Sequence, residues 1–192
     1  MRRSLVLFLL FIVTLCIPTF RVSTEAPLGI PTVLAPTDPR ANLPKAVVVE
    51  VVDGDTIFVR YRGNKERIRL IGIDTPEKRE NEKLRRDARR YGDSQAHQLE
   101  MGIDASKFTQ SKAVRGATLT LEFDVEQRDR YGRLLAYAYL PNGQMLNALI
   151  LHHGYAKLLT VPPNVRYAEK FRALMRDARK EKRGLWAEID RK

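Results

Sequence analysis

The 192-residue sequence has one cysteine, Cys16, and that residue sits in an apolar stretch at the N-terminus. The remainder of the chain therefore has no disulfide, no thiolate metal site and no cysteine nucleophile. Its fold has to rest on an apolar core, which 44% hydrophobic residues and this length allow. No internal repeat is present. Acid is also scarce: 23 Asp and Glu stand against 34 Lys and Arg, for a net charge of +11 and a pI near 10.0. Such a balance points to an anionic partner, nucleic acid or an anionic membrane or both.

Arg2 and Arg3 precede an almost wholly apolar run from Leu5 to Ile17. That length suits a secretory leader better than a full membrane span. Thr24-Glu25-Ala26 offers small residues for a cleavage site. Residues 1–24 are expected to be a signal peptide, or an N-terminal anchor that tethers the chain to a membrane through residues 1–20. The protein is then exported, secreted or periplasmic, or else membrane-anchored. These residues contain three arginines and no acid, so the remainder stays basic. Prolines recur at 27, 31, 36, 39 and 44, marking residues 25–44 as an extended linker. The domain follows, over residues 45–190.

The domain opens with a β-branched run, Ala46 to Val52. Asp53-Gly54-Asp55 is a tight turn. Thr56 to Tyr61 is a second strand, with Ile57, Val59 and Tyr61 on one face. After a turn at Arg62-Gly63-Asn64-Lys65, a third strand spans Arg67 to Ile73. Lys78 to Arg90 carries seven basic and three acidic residues and few apolar ones. It reads as a solvated helix or loop, or as an arm facing nucleic acid. A helix is expected over Asp104 to Val114, and strands over Leu119–Val125 and Leu134–Leu140. A short helix over Leu146 to His152 follows. The stripe Tyr167, Phe171, Leu174 and Ala178 marks a final helix, with Trp186 as a terminal anchor. The expected fold is α+β, a five-stranded barrel capped by about three helices.

The chemistry concentrates where the third strand ends. Pro76 cannot donate to a ladder and pushes Thr75 toward extended geometry. The Asp74-Thr75-Pro76-Glu77 turn thus places two carboxylates and a hydroxyl close to Arg69. Oxygen ligands beside a guanidinium suit a hard cation and a phosphate. A solvated turn is the plain alternative. Asp55 lies at another strand end, 19 residues from Asp74, so only the tertiary fold can unite them. Gln127 to Arg133 reads either as a charged hairpin tip or as a site where Arg133 meets a phosphate and Tyr131 stacks on a base or sugar.

Asp53-Gly54-Asp55-Thr56, Arg69 to Glu77 and Tyr131-Gly132-Arg133, in this order, resemble the thermonuclease family typified by staphylococcal nuclease. The resemblance covers about Val47 to Glu188. It implies an OB-fold barrel, a calcium ion (Ca2+) and phosphodiester cleavage of DNA and RNA, single-stranded or duplex, by a monomer. Asp55 and Asp74 would be the carboxylate ligands and Thr75 would add its carbonyl. Arg69, Glu77 and Arg133 match the catalytic set, with Glu77 the candidate base. Arg130 and Tyr131 would bind substrate; Arg130 replaces a lysine of the type member. The segment from Glu77 to Asp104 is longer and more basic here, and Thr160 replaces a tyrosine. Two other readings fit less well. A nucleic-acid-binding module without catalysis does not need the carboxylate set, and a membrane-tethered scaffold leaves it unexplained.

Overall fold

The protein is described here from a computed structural model, in which residues 38–187 other than 93 are described. The expected leader and the linker up to residue 37 lie outside the described residues. Residues 38–43 form turns, and Arg40 Nη1 donates to the Gly143 carbonyl at 2.7 Å.

Five strands close a barrel: β1 (Lys45–Asp53), β2 (Thr56–Tyr61), β3 (Asn64–Leu70), β5 (Thr118–Glu122) and β6 (Leu134–Tyr139). Their order is β1-β2-β3-β6-β5, and β5 pairs back onto β1. Alternating residues face inward, among them Ala46, Val48, Ile57, Val59, Ile68, Leu119, Leu121, Ala136 and Ala138, all nearly free of solvent. Two register shifts between β1 and β2 bend the long first strand so that it can serve both neighbours. All pairings are antiparallel except β3 with β6. A parallel pair needs a long crossover, and here it contains most of the helical cap.

The described residues form four α-helices: α1 (Glu82–Tyr91), α2 (Gln95–Lys112), α3 (Leu146–His152) and α4 (Ala168–Lys180). A 3-10 turn at Gly184–Trp186 follows and buries Trp186. Among the described residues no helix is long and apolar enough to cross a membrane.

The barrel matches the expected class, but several elements differ from the sequence reading. The third strand starts earlier, because Arg62-Gly63 alone makes the turn. Both have positive φ, 49° and 83°, as a two-residue hairpin turn with primed geometry requires. The same strand also stops earlier. Gly72 adopts φ 83°, and the chain peels off to form β4 (Gly72–Asp74). This strand pairs with β7 (Lys157–Leu159), which was too short to announce itself by pattern. Gly72 is needed for space as well: a Cβ there would lie 2.5 Å from the Phe171 ring. Helix α2 begins nine residues before the expected start, capped by the Ser94 hydroxyl. The arm at 78–90 is largely helix α1, an addition to the three expected helices. Leu84 and Ala88, four residues apart, are only 1% and 3% exposed, and these two anchors suffice. Asn81 Oδ1 caps its start by accepting from the Leu84 amide, and Gly92 in the left-handed region ends it.

Candidate active site

Two turns build the site. The first is the tip between β1 and β2. Gly54 is required there by close approach, since a Cβ would come within 2.7 Å of the Thr75 side chain. The Gly54 carbonyl is fixed by the Thr109 hydroxyl of α2 at 2.7 Å. The second turn follows β4. Its backbone at Glu77 lies against Gly102 of α2, where a Cβ would be 2.2 Å from the Glu77 carbonyl oxygen.

Asp55 joins the two turns. Its Oδ2 accepts from the Thr75 amide at 2.9 Å and from the Thr75 hydroxyl at 3.1 Å. Its Oδ1 accepts from the Thr56 hydroxyl at 2.9 Å. Asp55 is 5% exposed and Thr75 2%, so these bonds form in a low-dielectric pocket. The Arg69 guanidinium then ties both carboxylates together. Nη1 lies 3.2 Å from Asp55 Oδ2 and donates to the Ile73 carbonyl at 2.7 Å. Nη2 donates to Asp74 Oδ1 at 3.0 Å. The break between β3 and β4 turns the Ile73 carbonyl and Asp74 back onto Arg69.

A second cation enters from α1. Lys83 Nζ lies 3.0 Å from Asp74 Oδ1, 2.7 Å from Glu77 Oε1 and 3.3 Å from the Thr75 carbonyl oxygen. Asn81 Nδ2 donates to the other Glu77 oxygen at 2.9 Å. The start of α1 therefore grips both oxygens of Glu77.

The charges shift one another. Burial pushes the Asp55 carboxyl up, but Arg69, the Thr75 amide, Lys83 and the Thr56 hydroxyl outweigh it, and the group is held below the ordinary value. Burial works against the Lys83 ammonium, yet Asp74, Glu77 and Asp55 raise its pKa. Asp53 is pushed up to about 6, first by burial and then by repulsion from Glu77 and Asp55. Three acids thus sense one another across the two turns.

The donors fit a hard cation. Two carboxylate oxygens and a carbonyl oxygen already converge on one positive nitrogen, and Asp55 lies beside them. All are oxygens, which calcium prefers. Among the described residues no three carboxylate, imidazole or thiolate side chains close into a ready metal cage. A further protein oxygen for a cation could come from backbone such as the Thr75 carbonyl, which already faces Lys83 Nζ at 3.3 Å.

Arg133, Arg130 and Tyr131 form a separate group at the tip between β5 and β6. Arg133 Nε donates to Asp129 Oδ2 at 2.7 Å. Burial raises the Asp129 carboxyl, but bonds from the Arg133 side chain and amide lower it further, and the net shift is downward. The guanidiniums of Arg130 and Arg133 lie 4.8 and 5.5 Å from the Tyr131 ring centroid, and Tyr131 is 67% exposed. The group adjoins β6, whose Leu134 and Leu135 pair with Ile68 and Arg69 in the parallel ladder. Thr160, just after β7, is exposed.

Asn81, Lys83 and Thr109 escaped the sequence reading as site residues, and Asp53 entered it only as part of the first motif. Asn81 had a signal, a capping residue three places before the first apolar anchor. Lys83 had none, because one lysine in a basic run does not announce a tertiary contact.

The family described as staphylococcal nuclease homologue matches residues 67–188. The chain is 33% identical over 147 residues to a thermonuclease of Staphylococcus hyicus, covering 77% of this chain and 78% of that protein. It is 35% identical over 140 residues to a thermonuclease of Staphylococcus intermedius, with 73% and 74% covered. It is also 36% identical over 138 residues to endonuclease YncB of Bacillus subtilis, with 71% and 58% covered. The oxygen and guanidinium cluster on a closed five-stranded barrel and these similarities agree: the chain belongs to the staphylococcal nuclease family and is a nuclease.

Proposed function

We propose that this nuclease is a calcium-dependent endonuclease that hydrolyses phosphodiester bonds of DNA and RNA. The observation that carries the reading is the Arg69 guanidinium, bound at once to Asp55 and Asp74 from two different turns. Such a fork, held among carboxylates in a half-buried pocket, is set to meet a doubly oxygenated anion.

Calcium, held by Asp55, Asp74 and the Thr75 carbonyl, would supply positive charge to a substrate phosphate oxygen. Glu77 takes the proton from the attacking water, as a carboxylate within a few ångströms can. Arg69 and Arg133 stabilise the charge that builds on the equatorial oxygens of the phosphorane-like transition state. Arg130 and Tyr131 bind substrate, Tyr131 by stacking its exposed ring.

We also place the protein outside the cytoplasm, exported or anchored through residues 1–20, because a short apolar run follows Arg2 and Arg3. The purified protein, incubated with DNA or RNA in calcium or in a chelator, tests the activity. Internal cuts that need calcium support the reading. Binding without cutting in every condition would overturn it.

A further inference from the structure

Helix α1, expected at most as a solvated helix or a nucleic-acid-facing arm, sends its first turn into the site. Lys83 is its second residue, and Asn81 is its cap. Lys83 Nζ touches Asp74 Oδ1, Glu77 Oε1 and the Thr75 carbonyl oxygen, all within 3.3 Å. Asp74 and the Thr75 carbonyl belong to the proposed calcium set, and Glu77 is the proposed base.

We propose that Lys83 is a built-in competitor for the metal: calcium binding requires its ammonium to withdraw, and the first turn of α1 moves with it. The inference rests on the calcium reading. An ammonium and a calcium ion both seek oxygen, and the two cannot share the same lone pairs without strong repulsion. Calcium has twice the charge and accepts six to eight oxygens, so it prevails at sufficient concentration. Until then the apparent affinity is reduced by the fraction of molecules in which Lys83 has left.

The rest of the site is held together without α1. Asp55 is tied to Thr75 and Thr56 without help from α1. The Glu77 backbone is packed on Gly102 of α2, and the Gly54 carbonyl is bonded to Thr109 of α2. Helix α1 has just two deeply buried anchors, Leu84 and Ala88, and is otherwise exposed or half-buried where described. Elements with few apolar contacts open at the lowest cost. Withdrawal of Lys83 also uncovers Glu77 Oε1, so the change that admits the metal frees the base. Lys83 thereby becomes a positioning residue for the reaction.

The test uses the full chain and its variants Lys83→Met and Lys83→Gln. Calcium is titrated by calorimetry, and amide hydrogen exchange is followed over residues 82–91 with and without calcium. Both variants should bind calcium about tenfold more tightly or better, since the competitor is gone. In the unmutated protein calcium should speed exchange in α1, whereas in the variants it should leave exchange unchanged. Equal or weaker calcium binding by folded variants overturns the proposal and leaves the calcium reading standing. If no protein binds calcium, the calcium reading fails and this one with it. Should the variants not fold, the exchange of the unmutated protein decides alone: slowing or no change in α1 overturns the proposal.

Discussion

Asn147, on α3, donates its side-chain amide to the carbonyl of Ile71 at 2.9 Å, where the third strand breaks. Its Oδ1 accepts from the Ala138 amide at 3.0 Å, and the residue is fully buried. The break that directs Asp74 toward Arg69 leaves a backbone carbonyl in the core, and Asn147 satisfies it. Asn147→Ala leaves that carbonyl and the Ala138 amide without this partner. It should cost roughly 2–4 kcal/mol of stability. Urea unfolding followed by far-UV circular dichroism reads this directly; a loss within experimental error would show that the pin is dispensable.

Glu77→Gln keeps the shape of the side chain and can still bond to Asn81, but it cannot accept a proton as a carboxylate does. The expected loss in kcat is about 10²–10⁴ at saturating calcium. Affinity for DNA should change far less. Asp55→Asn behaves differently, because it also removes a buried partner of Arg69. That change should weaken calcium binding and cost stability on the order of 3–5 kcal/mol. Cleavage by Glu77→Gln at the unmutated rate would remove Glu77 from the mechanism.

Arg85, Arg86, Arg89 and Arg90 lie on the exposed side of α1. Replacing all four with glutamine should raise KM for long DNA and flatten its salt dependence. Each lost phosphate contact lowers the logarithmic salt slope by roughly 0.7–0.9. Cleavage of a dinucleotide, too short to reach them, should hardly change. A large fall in kcat on the dinucleotide would instead place these arginines in the chemistry.

Glu122 gathers the hydroxyls of Tyr139 and Tyr167 and the Arg166 guanidinium. Burial raises its carboxyl, but the bonds from Tyr139, Arg166 and Tyr167 outweigh this, and it titrates below its ordinary value of 4.5. A depressed acid stabilises the fold above its unfolded pKa, and the benefit disappears as pH falls through the folded value. Melting temperatures should therefore drop below about pH 4.5, and Glu122→Gln should show a shallower drop. Tyr139 is shifted upward, by burial first and then by its bond to Glu122. It resists ionisation when folded, so stability falls as pH rises past the ordinary tyrosine value. Parallel acid limbs in the two proteins would rule out the Glu122 account.

The second strand was legible because its inward residues alternate, as Ile57, Val59 and Tyr61 do. The Asp74 to Glu77 turn was legible because Pro76 ends the strand on chemical grounds. What could not be read depends on contacts distant in sequence. The stop at Ile71 is set by Phe171 against Gly72 and by Asn147, 76 residues beyond. Strand β7 exists because β4 offers it a partner. Helix α1 looked like a solvated run because two small anchors are lost among its charges. Lys83 reaches the site only because Leu84 and Ala88 dock its helix there.

The parallel ladder between β3 and β6 has a kinetic corollary. Arg69 and Leu135 meet across it, with β4, α1, α2 and β5 strung between them in the chain. Contacts of such long sequence separation form late, since the loop must close before the pairing rewards it. A nascent chain that has emerged only as far as β5 can fold its first hairpins but cannot bring Arg133 near Arg69. Closure of the barrel thus waits for β6, and a chain that ends at β5 carries β3 with one edge still open.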